Sequence, residues 1–222
     1  MDFPQRGLPD TASGADNGCM ADALPLTRTA AAPETAAAIR AAVRAATQMG
    51  DSRLAQTSDA AALHALLSDP LVFAPIYTLP RPLTPDSVSG FIDQHLAERE
   101  AGAGLLFVRE GEGGEILGYS DVQVWPDWAA GELGGALHPS LHGKGTGGRG
   151  AAASFAWMFE TLGLDLLCET AALTNVPTQR LLDGLGFRRM GEVTSVRPDG
   201  TTRASLVWEM TRAEWAARHG FG

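Results

Sequence analysis

The residues best suited to chemistry form a glycine-rich stretch in the second half of the chain. It reads His142-Gly143-Lys144-Gly145-Thr146-Gly147-Gly148-Arg149-Gly150 and lies between a predicted strand and a predicted helix. Glycines let the backbone approach a ligand closely, and a helix start presents unpaired N–H groups and a positive dipole end. Lys144 and Arg149 add positive charge. The stretch therefore predicts a phosphate or pyrophosphate site, although glycine-rich loops also serve as plain connectors.

The glycine-rich stretch is similar to two known nucleotide-binding motifs, the Walker A loop and the dinucleotide fingerprint. A Walker A loop needs Ser or Thr directly after Gly-Lys, and Gly145 stands there instead. The dinucleotide fingerprint G-x-G-x-x-G is formally met by Gly143, Gly145 and Gly148, and Glu169 ends the next predicted strand, where a ribose partner would lie. The fingerprint normally follows its strand at once, whereas residues 138–142 intervene here. A nucleotide-dependent oxidoreductase therefore stays open as an alternative function.

A second motif stands downstream at 175–187 and reads Asn-Val-Pro-Thr-Gln-Arg-Leu-Leu-Asp-Gly-Leu-Gly-Phe. Its Asn175 is a good helix N-cap in any protein. Together the two motifs resemble those of the GNAT superfamily of N-acetyltransferases. The family's acetyl-CoA loop has the form Q/R-x-x-G-x-G/A, with His142 in the first slot here. Its second element, N-x-x-S-x-x-L-x-x-x-G-F, is met with Thr178 in the Ser slot.

The resemblance extends from about residue 52 to residue 210, and the closing stretch 190–215 is similar to the Rim-type branch. That branch acetylates the α-amino groups of ribosomal proteins. The resemblance implies direct transfer of an acetyl group from acetyl-CoA to a primary amine, a protein N-terminal α-amine or a small-molecule amine, without an acyl-enzyme. It also implies the residues that bind the cosubstrate, with the pantetheine along 136–138: Leu137, His138, His142, Gly143, Lys144, Gly145, Thr146, Gly147, Gly148 and Asn175.

Acetyl transfer needs a neutral amine. An α-amino group with a pKa of ~8 requires less help from a base than a lysine amine with a pKa of ~10.4. By the resemblance, Glu132 on the strand before the loop is the first candidate base, and Glu169 on the neighbouring strand is the second. A solvated carboxylate at a strand edge is the alternative for each. Thr178 is placed where some Rim-type members have a Ser that polarises the CoA sulfur, and a plain first-turn hydroxyl is the alternative.

One departure from the family concerns the leaving thiolate. Many members carry a Tyr in the helix after the Asn as its acid, but this stretch reads Leu181-Leu182, and the chain has two tyrosines, Tyr77 and Tyr119. Thr178 or water could serve instead. A non-catalytic acyl-CoA sensor of the same fold therefore stays open as a second alternative.

Other reactive residues carry weaker signals. His138 and His142 are four apart without a third ligand, so no metal site is expected. Cys168 lies in an apolar strand and is expected in the core. Two Pro- and Trp-bearing loops, 70–85 with Asp86 and 125–130 with Asp127, are predicted to contact a cationic acceptor.

The elements that must position these residues follow from periodicity and turn signals. The predicted strands are 52–57, 105–109, 115–124, 130–137, 165–170, 187–192 and 203–210. Predicted helices begin at Ser58 and at Thr84-Pro85-Asp86, and two more cover 148–162 and 175–184. This order predicts an α/β (α+β) GNAT fold with a mixed, mostly antiparallel central sheet flanked by helices.

The domain expectation separates an Ala-rich start from the rest. Residues 1–32 are predicted to be a flexible arm and 33–50 an accessory helix, or the true start lies at Met20 or Met49. The acetyltransferase domain is predicted over 51–215, with a tail at 216–222.

Composition narrows the classes of partner and compartment. The chain has 26 acidic and 17 Lys or Arg residues and a formal net charge of −9, which argues against a nucleic-acid-coating surface. Two cysteines, no apolar run of membrane-spanning length and no targeting segment predict a soluble cytoplasmic protein without a membrane partner. A homodimer is the default expectation.

Overall fold

The centre of the molecule is a mixed sheet of eight strands. The structure is a computed structural model that describes residues 24–143, 146–196 and 200–220. The strands are β1 (Gln48–Met49), β2 (Ser52–Leu54), β3 (Gly104–Glu110), β4 (Ile116–Trp125), β5 (Ala130–Leu137), β6 (Leu166–Ala172), β7 (Arg188–Val196) and β8 (Thr202–Thr211). Their order is β1-β2-β3-β4-β5-β6-β8-β7, and only the β5–β6 pair is parallel in this described sheet. The predicted mostly antiparallel sheet is confirmed.

Helices cover both faces of the sheet. They are α1 (Pro33–Ala45), α2 (Ala60–Leu67), α3 (Pro70–Phe73), α4 (Pro85–Ala101), α5 (Thr146–Glu160), α6 (Val176–Leu185) and α7 (Arg212–His219). The start of α4 is fixed by a capping box between Thr84 and Ser87, and its end by Gly102 in the left-handed region at φ 76°. In the described residues, no helix has both the length and the apolar character needed to span a bilayer.

Strand β3 separates two apolar cores, because its side chains alternate between the faces. Leu105 and Phe107 lie in a core with residues of α1, α5 and α7. Leu106 and Val108 lie in a second core with residues of α2 and α4. We call these two sides of the sheet the α5 face and the α4 face.

The segment before α1 is bound to the α4 face. Leu24 is buried against Cys168 and Val207. The backbone N–H groups of Leu26 and Thr27 and the Thr27 hydroxyl all donate to the carboxylate of the fully buried Glu209. Three donors compensate the burial of that charge. The described part of the predicted arm, 24–32, therefore packs on the domain; residues 1–23 lie outside the described residues.

The structure differs from the predicted elements mainly at their ends. The accessory helix ends at Ala45 and the strand from Ser52 ends at Leu54. Two helices, α3 and α7, were not predicted. A capping box between Thr211 and Glu214 begins α7, and this Thr-x-x-Glu pattern is a signal that could have found it.

Candidate functional site

Strands β5 and β6 form a fork. Their parallel pairing comprises Ala130 with Leu166 and Gly131 with Leu167, and beyond Gly131 the strands separate. The N–H of His138 donates to Leu117 on β4 at 2.8 Å, so even-numbered residues of β5 bond to β4. The backbone groups of the odd-numbered residues 133, 135 and 137 therefore face the gap. This edge can pair with an extended ligand.

Glu169 lies on the α5 face at the closed end of the fork. Its carboxylate accepts a hydrogen bond from the N–H of Leu133 at 2.9 Å. The side chain is buried. Burial, and secondarily the charge of Glu132, raise the pKa of Glu169 well above its usual range. This second candidate base is thus engaged in joining the two strands.

Glu132 lies on the opposite, α4 face at the same level of the fork. The hydroxyl of Thr170 donates to its carboxylate at 2.7 Å, across the gap. Burial raises the pKa of Glu132 from 4.5 to about 7, because it outweighs the hydrogen bond from Thr170; the charge of Asp121 adds to the rise, and that of Arg203 opposes it. A carboxyl with this pKa can take up and release a proton near neutral pH.

The loop after β5 is tied back to the strand. The Nδ1 atom of His138 accepts from the N–H of Ser140 at 3.2 Å and begins a 3-10 turn at Pro139–Leu141. The Nε2 atom of His142 lies 2.9 Å from the carbonyl oxygen of Leu137, so this nitrogen is the donor. Gly143 has a φ of 73°, which favours glycine. Lys144 and Gly145 lie outside the described residues.

The first turn of α5 has room for a ligand. The helix begins at Thr146, and an added Cβ at Gly147 would be no closer than 3.9 Å to its nearest neighbour, a methyl of Leu137. At Gly148 the nearest atom would be a methyl of Leu181 at 3.7 Å. Without side chains there, the N–H groups of this turn stay open to an anion, and Arg149 is exposed beside them. The residues fit a pyrophosphate-bearing cosubstrate.

Asn175 and Thr178 lie at the start of α6, after the end of β6. The side-chain oxygen of Asn175 accepts from the N–H of Thr178 at 3.3 Å, which confirms the predicted N-cap. The Thr178 hydroxyl is half-buried. Their roles toward a cosubstrate stay predictions.

Not every predicted residue faces the fork. Both oxygens of Asp127 lie 2.9 Å from the guanidinium of Arg40 on α1, at the end where β5 and β6 are still paired. Asp127 is therefore already paired with a cation, and the contact of the 125–130 loop with an acceptor stays a prediction. Cys168 is buried as predicted, and burial among Glu132, Glu209 and Glu169 raises the pKa of its thiol. It is unsuited to act as a thiolate.

The structure brings further side chains together on the α4 face. His95 of α4 contacts Asp121 of β4, and Arg203 of β8 stacks on Tyr77 with 4.0 Å between the guanidinium carbon and the ring centroid. These contacts join elements distant in sequence, and no local pattern signals them. Among the described residues, no three His, Cys, Asp or Glu side chains are grouped to hold a metal ion.

The family follows from a direct match. The profile of the GNAT acetyltransferase domain matches residues 53–188, more than half of the chain. This protein belongs to the GNAT family of acetyltransferases, enzymes that use acetyl-CoA and no metal. The oxidoreductase alternative is thereby removed, and the residues between β5 and the glycines form the 3-10 turn rather than a dinucleotide loop.

Solved structures share the fold at low identity. RimJ from Mycobacterium smegmatis, in complex with CoA-disulfide, has a TM-score of 0.63 and 23% identity, covering 73% of this chain and 82% of its own. The ribosomal-protein-S5-alanine acetyltransferase from Vibrio fischeri has a TM-score of 0.62 and 20% identity, and the match covers 74% of this chain and 93% of that protein. A variant of the spermidine N-acetyltransferase SpeG from Vibrio cholerae has a TM-score of 0.59 and 17% identity, and the match covers 75% of this chain and 98% of that protein. No curated protein sequence matches significantly.

Proposed function

We propose that this protein acetylates a primary amine at the β5–β6 fork, with Glu132 as the general base. The observation that carries the proposal is the position of Glu132, whose pKa is about 7, at the point where the two strands part. A base needs a pKa near the working pH, because it must be ionised and still accept a proton readily. Glu169 is held by the Leu133 N–H and therefore serves the strands rather than the proton transfer.

The cosubstrate would lie along the open edge of β5. Acetyl-CoA supplies a thioester whose carbonyl carbon is the site of amine attack. The backbone groups of 133, 135 and 137 that Glu169 and His142 do not engage would bind its pantetheine arm, with Asn175 on the other side of the gap. The first-turn N–H groups of Gly147 and Gly148, together with His142, Gly143, Lys144, Gly145 and Thr146, would form the pyrophosphate site.

The leaving thiolate would receive its proton from Thr178 or from water. Helix α6 carries Leu181 and Leu182 where many family members have a Tyr. The Thr178 hydroxyl is half-buried in the first turn of that helix. This same departure supports the second candidate, a non-catalytic acyl-CoA sensor.

Among primary amines, we favour protein N-terminal α-amines of the Rim-type kind as acceptors. An α-amine with a pKa of ~8 matches a base of pKa about 7 better than a lysine amine does. Similar folds are found in proteins named for ribosomal-protein alanine and for spermidine acetylation. A cytoplasmic location and a homodimer belong to the same proposal.

The test is CoA thiol release from acetyl-CoA in the presence of four acceptors: a peptide with N-terminal Ala, an N-blocked Lys peptide, spermidine and a free amino acid. We expect turnover that is highest with the α-amine peptide. CoA binding by calorimetry without thiol release from any amine would instead establish the sensor. Preference for spermidine would retain the acetyltransferase and overturn the acceptor assignment.

A further inference from the structure

The α4 face of the fork carries a histidine–aspartate pair that the acetyl-transfer chemistry described so far does not use. His95 is 5% exposed in the middle of α4. Its Nδ1 lies 2.8 Å from the carbonyl oxygen of Phe91, and its Nε2 lies 3.0 Å from Oδ1 of Asp121. Since both partners are acceptors, both ring nitrogens carry hydrogen. The ring is an imidazolium, held in one orientation from both sides.

The charge state of this pair agrees with the geometry. Burial by itself would lower the pKa of His95, yet Asp121, Glu98 and the Phe91 carbonyl raise it to about 9. The Glu98 carboxylate lies 3.8 Å from Nε2, so Asp121 is the closer anion. The protonated His95 ring donates from Nε2 to Oδ1 of Asp121 and so holds this side chain in one position.

Asp121 shares the α4 face with Glu132. Gln123 is the register partner of Glu132, and Asp121 follows on the same face of β4 two residues away. Its partner on β5 is Gly134, which has no side chain to cover the carboxylate. The Asp121 side chain is 17% exposed, and its Oδ2 accepts a hydrogen bond from no described residue. One carboxylate oxygen is thus anchored and the other is open beside the fork.

A second unpaired polar atom lies on the same face. The hydroxyl of Tyr119, two residues before Asp121, is buried and has no hydrogen-bond partner among the described residues. Burial and the charge of Asp121 raise the pKa of this phenol well above its usual range, so it stays a neutral donor. An unsatisfied buried hydroxyl is costly unless a ligand pairs with it.

We propose that Asp121 binds the ammonium form of the acceptor amine, with His95 as the residue that positions its carboxylate. This inference rests on the proposed function. The ammonium would lie between Asp121 and Glu132 and give one proton to Glu132. The neutral nitrogen then forms the bond to the acetyl carbon as the carbon–sulfur bond breaks, and its second proton leaves with the sulfur as the CoA thiol. Glu132 returns its proton to water.

The specificity that follows is for a positively charged acceptor end. Two other carboxylates near this face are already engaged: Glu209 accepts from the segment before α1, and Glu98 accepts from Gln94 and lies 3.8 Å from Nε2 of His95. Arg203 lies nearby as a cation. An incoming ammonium at the fork would therefore meet Asp121 and Glu132. An acceptor that is uncharged at neutral pH gains nothing from Asp121.

The test compares two inhibitors of the same shape, derived from the best acceptor of the amine panel. In one the amine is trimethylated, and in the other a tert-butyl group replaces the trimethylammonium. With the wild-type protein, the cation should compete with the acceptor about tenfold to hundredfold more tightly than its carbon isostere, as expected for a charge-assisted contact. Equal inhibition would overturn the proposal without any variant.

Variants assign the preference to Asp121. Asp121→Asn should remove most of it and raise the acceptor KM, with CoA affinity unchanged, whereas Glu132→Gln should retain the larger part of the preference and lose turnover. His95→Gln should weaken the preference, and Glu112→Gln in the exposed β3–β4 turn is the control for charge alone. An Asp121→Asn protein that still prefers the cation would overturn the assignment. Absence of thiol release by the wild type with every amine would instead contradict the proposed function.

Discussion

At the scale of single residues, the two carboxyl groups at the fork, Glu132 and Glu169, differ in their hydrogen-bond partners. Glu132 and Glu169 lie at the same level on opposite faces and each bonds across the gap, to Thr170 and to Leu133. Burial keeps both pKa values high, but their partners differ. Glu169 accepts from a backbone N–H, whereas Glu132 shares its face with Asp121. We therefore propose Glu132, rather than Glu169, as the residue that transfers the proton.

Replacing Glu132 by Gln tests that role. In the wild type, kcat/KM should rise with pH through a midpoint near 7, because the carboxylate form of Glu132 is the base. The variant should lose this limb and about a hundredfold in rate at neutral pH, with partial recovery at high pH, where the amine needs no base. Glu169→Gln, which keeps an acceptor for Leu133, should retain the limb. A midpoint near 7 that survives in Glu132→Gln would exclude Glu132.

The same substitution should stabilise the fold in alkali. A carboxyl whose folded pKa is raised from 4.5 to about 7 keeps its proton in the folded state longer than in the unfolded one, so the free energy of unfolding falls as pH rises through that window. At pH 8, Glu132→Gln should be more stable than wild type by about 3 kcal/mol, and near pH 4 the two should agree. Urea unfolding at both pH values measures this; a constant difference would contradict it.

At the scale of elements, the first turn of α5 combines helix and ligand site. Glycines at 147 and 148 leave its N–H groups uncovered, and the His142 ring anchors the preceding loop to β5. The arrangement loses helix propensity, since Gly is less favourable than Ala by ~1 kcal/mol in a helix. That cost is consistent with a turn built for an anion.

Gly147→Ala should therefore weaken CoA binding while the protein stays folded. The added methyl has no neighbour closer than 3.9 Å, so the fold should be retained. CoA affinity should fall about tenfold or more, because the methyl crowds an anion at the N–H groups, and Gly147→Glu should abolish binding. Gly150→Ala, with no atom within 4 Å of its methyl, is the matched control and should keep wild-type affinity in calorimetry. Equal affinities of the two alanine variants would contradict the assignment.

At the scale of the whole molecule, the fork divides the sheet into two parts with little backbone pairing between them, although one apolar core spans both. In the described residues, the backbone pairing between β5 and β6 amounts to Ala130–Leu166 and Gly131–Leu167. On the α4 face, the loop between α3 and α4 reaches across to the β7–β8 hairpin. There the Tyr77 hydroxyl lies 2.7 Å from the carbonyl oxygen of Ser195 and 2.8 Å from that of Thr201. This contact joins the loop between α3 and α4 to the β7–β8 hairpin.

Tyr77→Phe should loosen this closure. Removal of the donor leaves buried carbonyl oxygens poorly satisfied, so the free energy of unfolding should fall by about 1–2 kcal/mol and amide exchange in β7 and β8 should accelerate. Tyr119→Phe is the matched control, since its hydroxyl bonds to no described residue and its loss should not destabilise. Equal destabilisation by both substitutions would show that the ring environment, and not the Tyr77 hydrogen bonds, matters.

Local signals in the sequence were sufficient for the fold class, the glycine loop and the Asn175 cap. Each depends on neighbours within a few residues: the alternation in β3, the glycines before α5 and the Asn-x-x-Thr start of α6. The strands and the family resemblance also predicted both candidate carboxylates; the structure places them at the fork, and their catalytic roles stay predictions. The helix α7 carried a readable cap signal and was missed.

Other features of the site depend on strand register and on contacts between distant segments, which local sequence patterns do not predict. Glu132 and Glu169 lie at the same level of the fork, on opposite faces, because β5 and β6 stop pairing after Gly131. No local sequence pattern predicts where this pairing ends. Asp127 looked suited to an amine, but Arg40, 87 residues earlier, binds it. Asp121 gains its fixed position from His95, which α4 brings over β4. Burial and partners, which set charge and pKa, exist only once the sheet and helices are assembled.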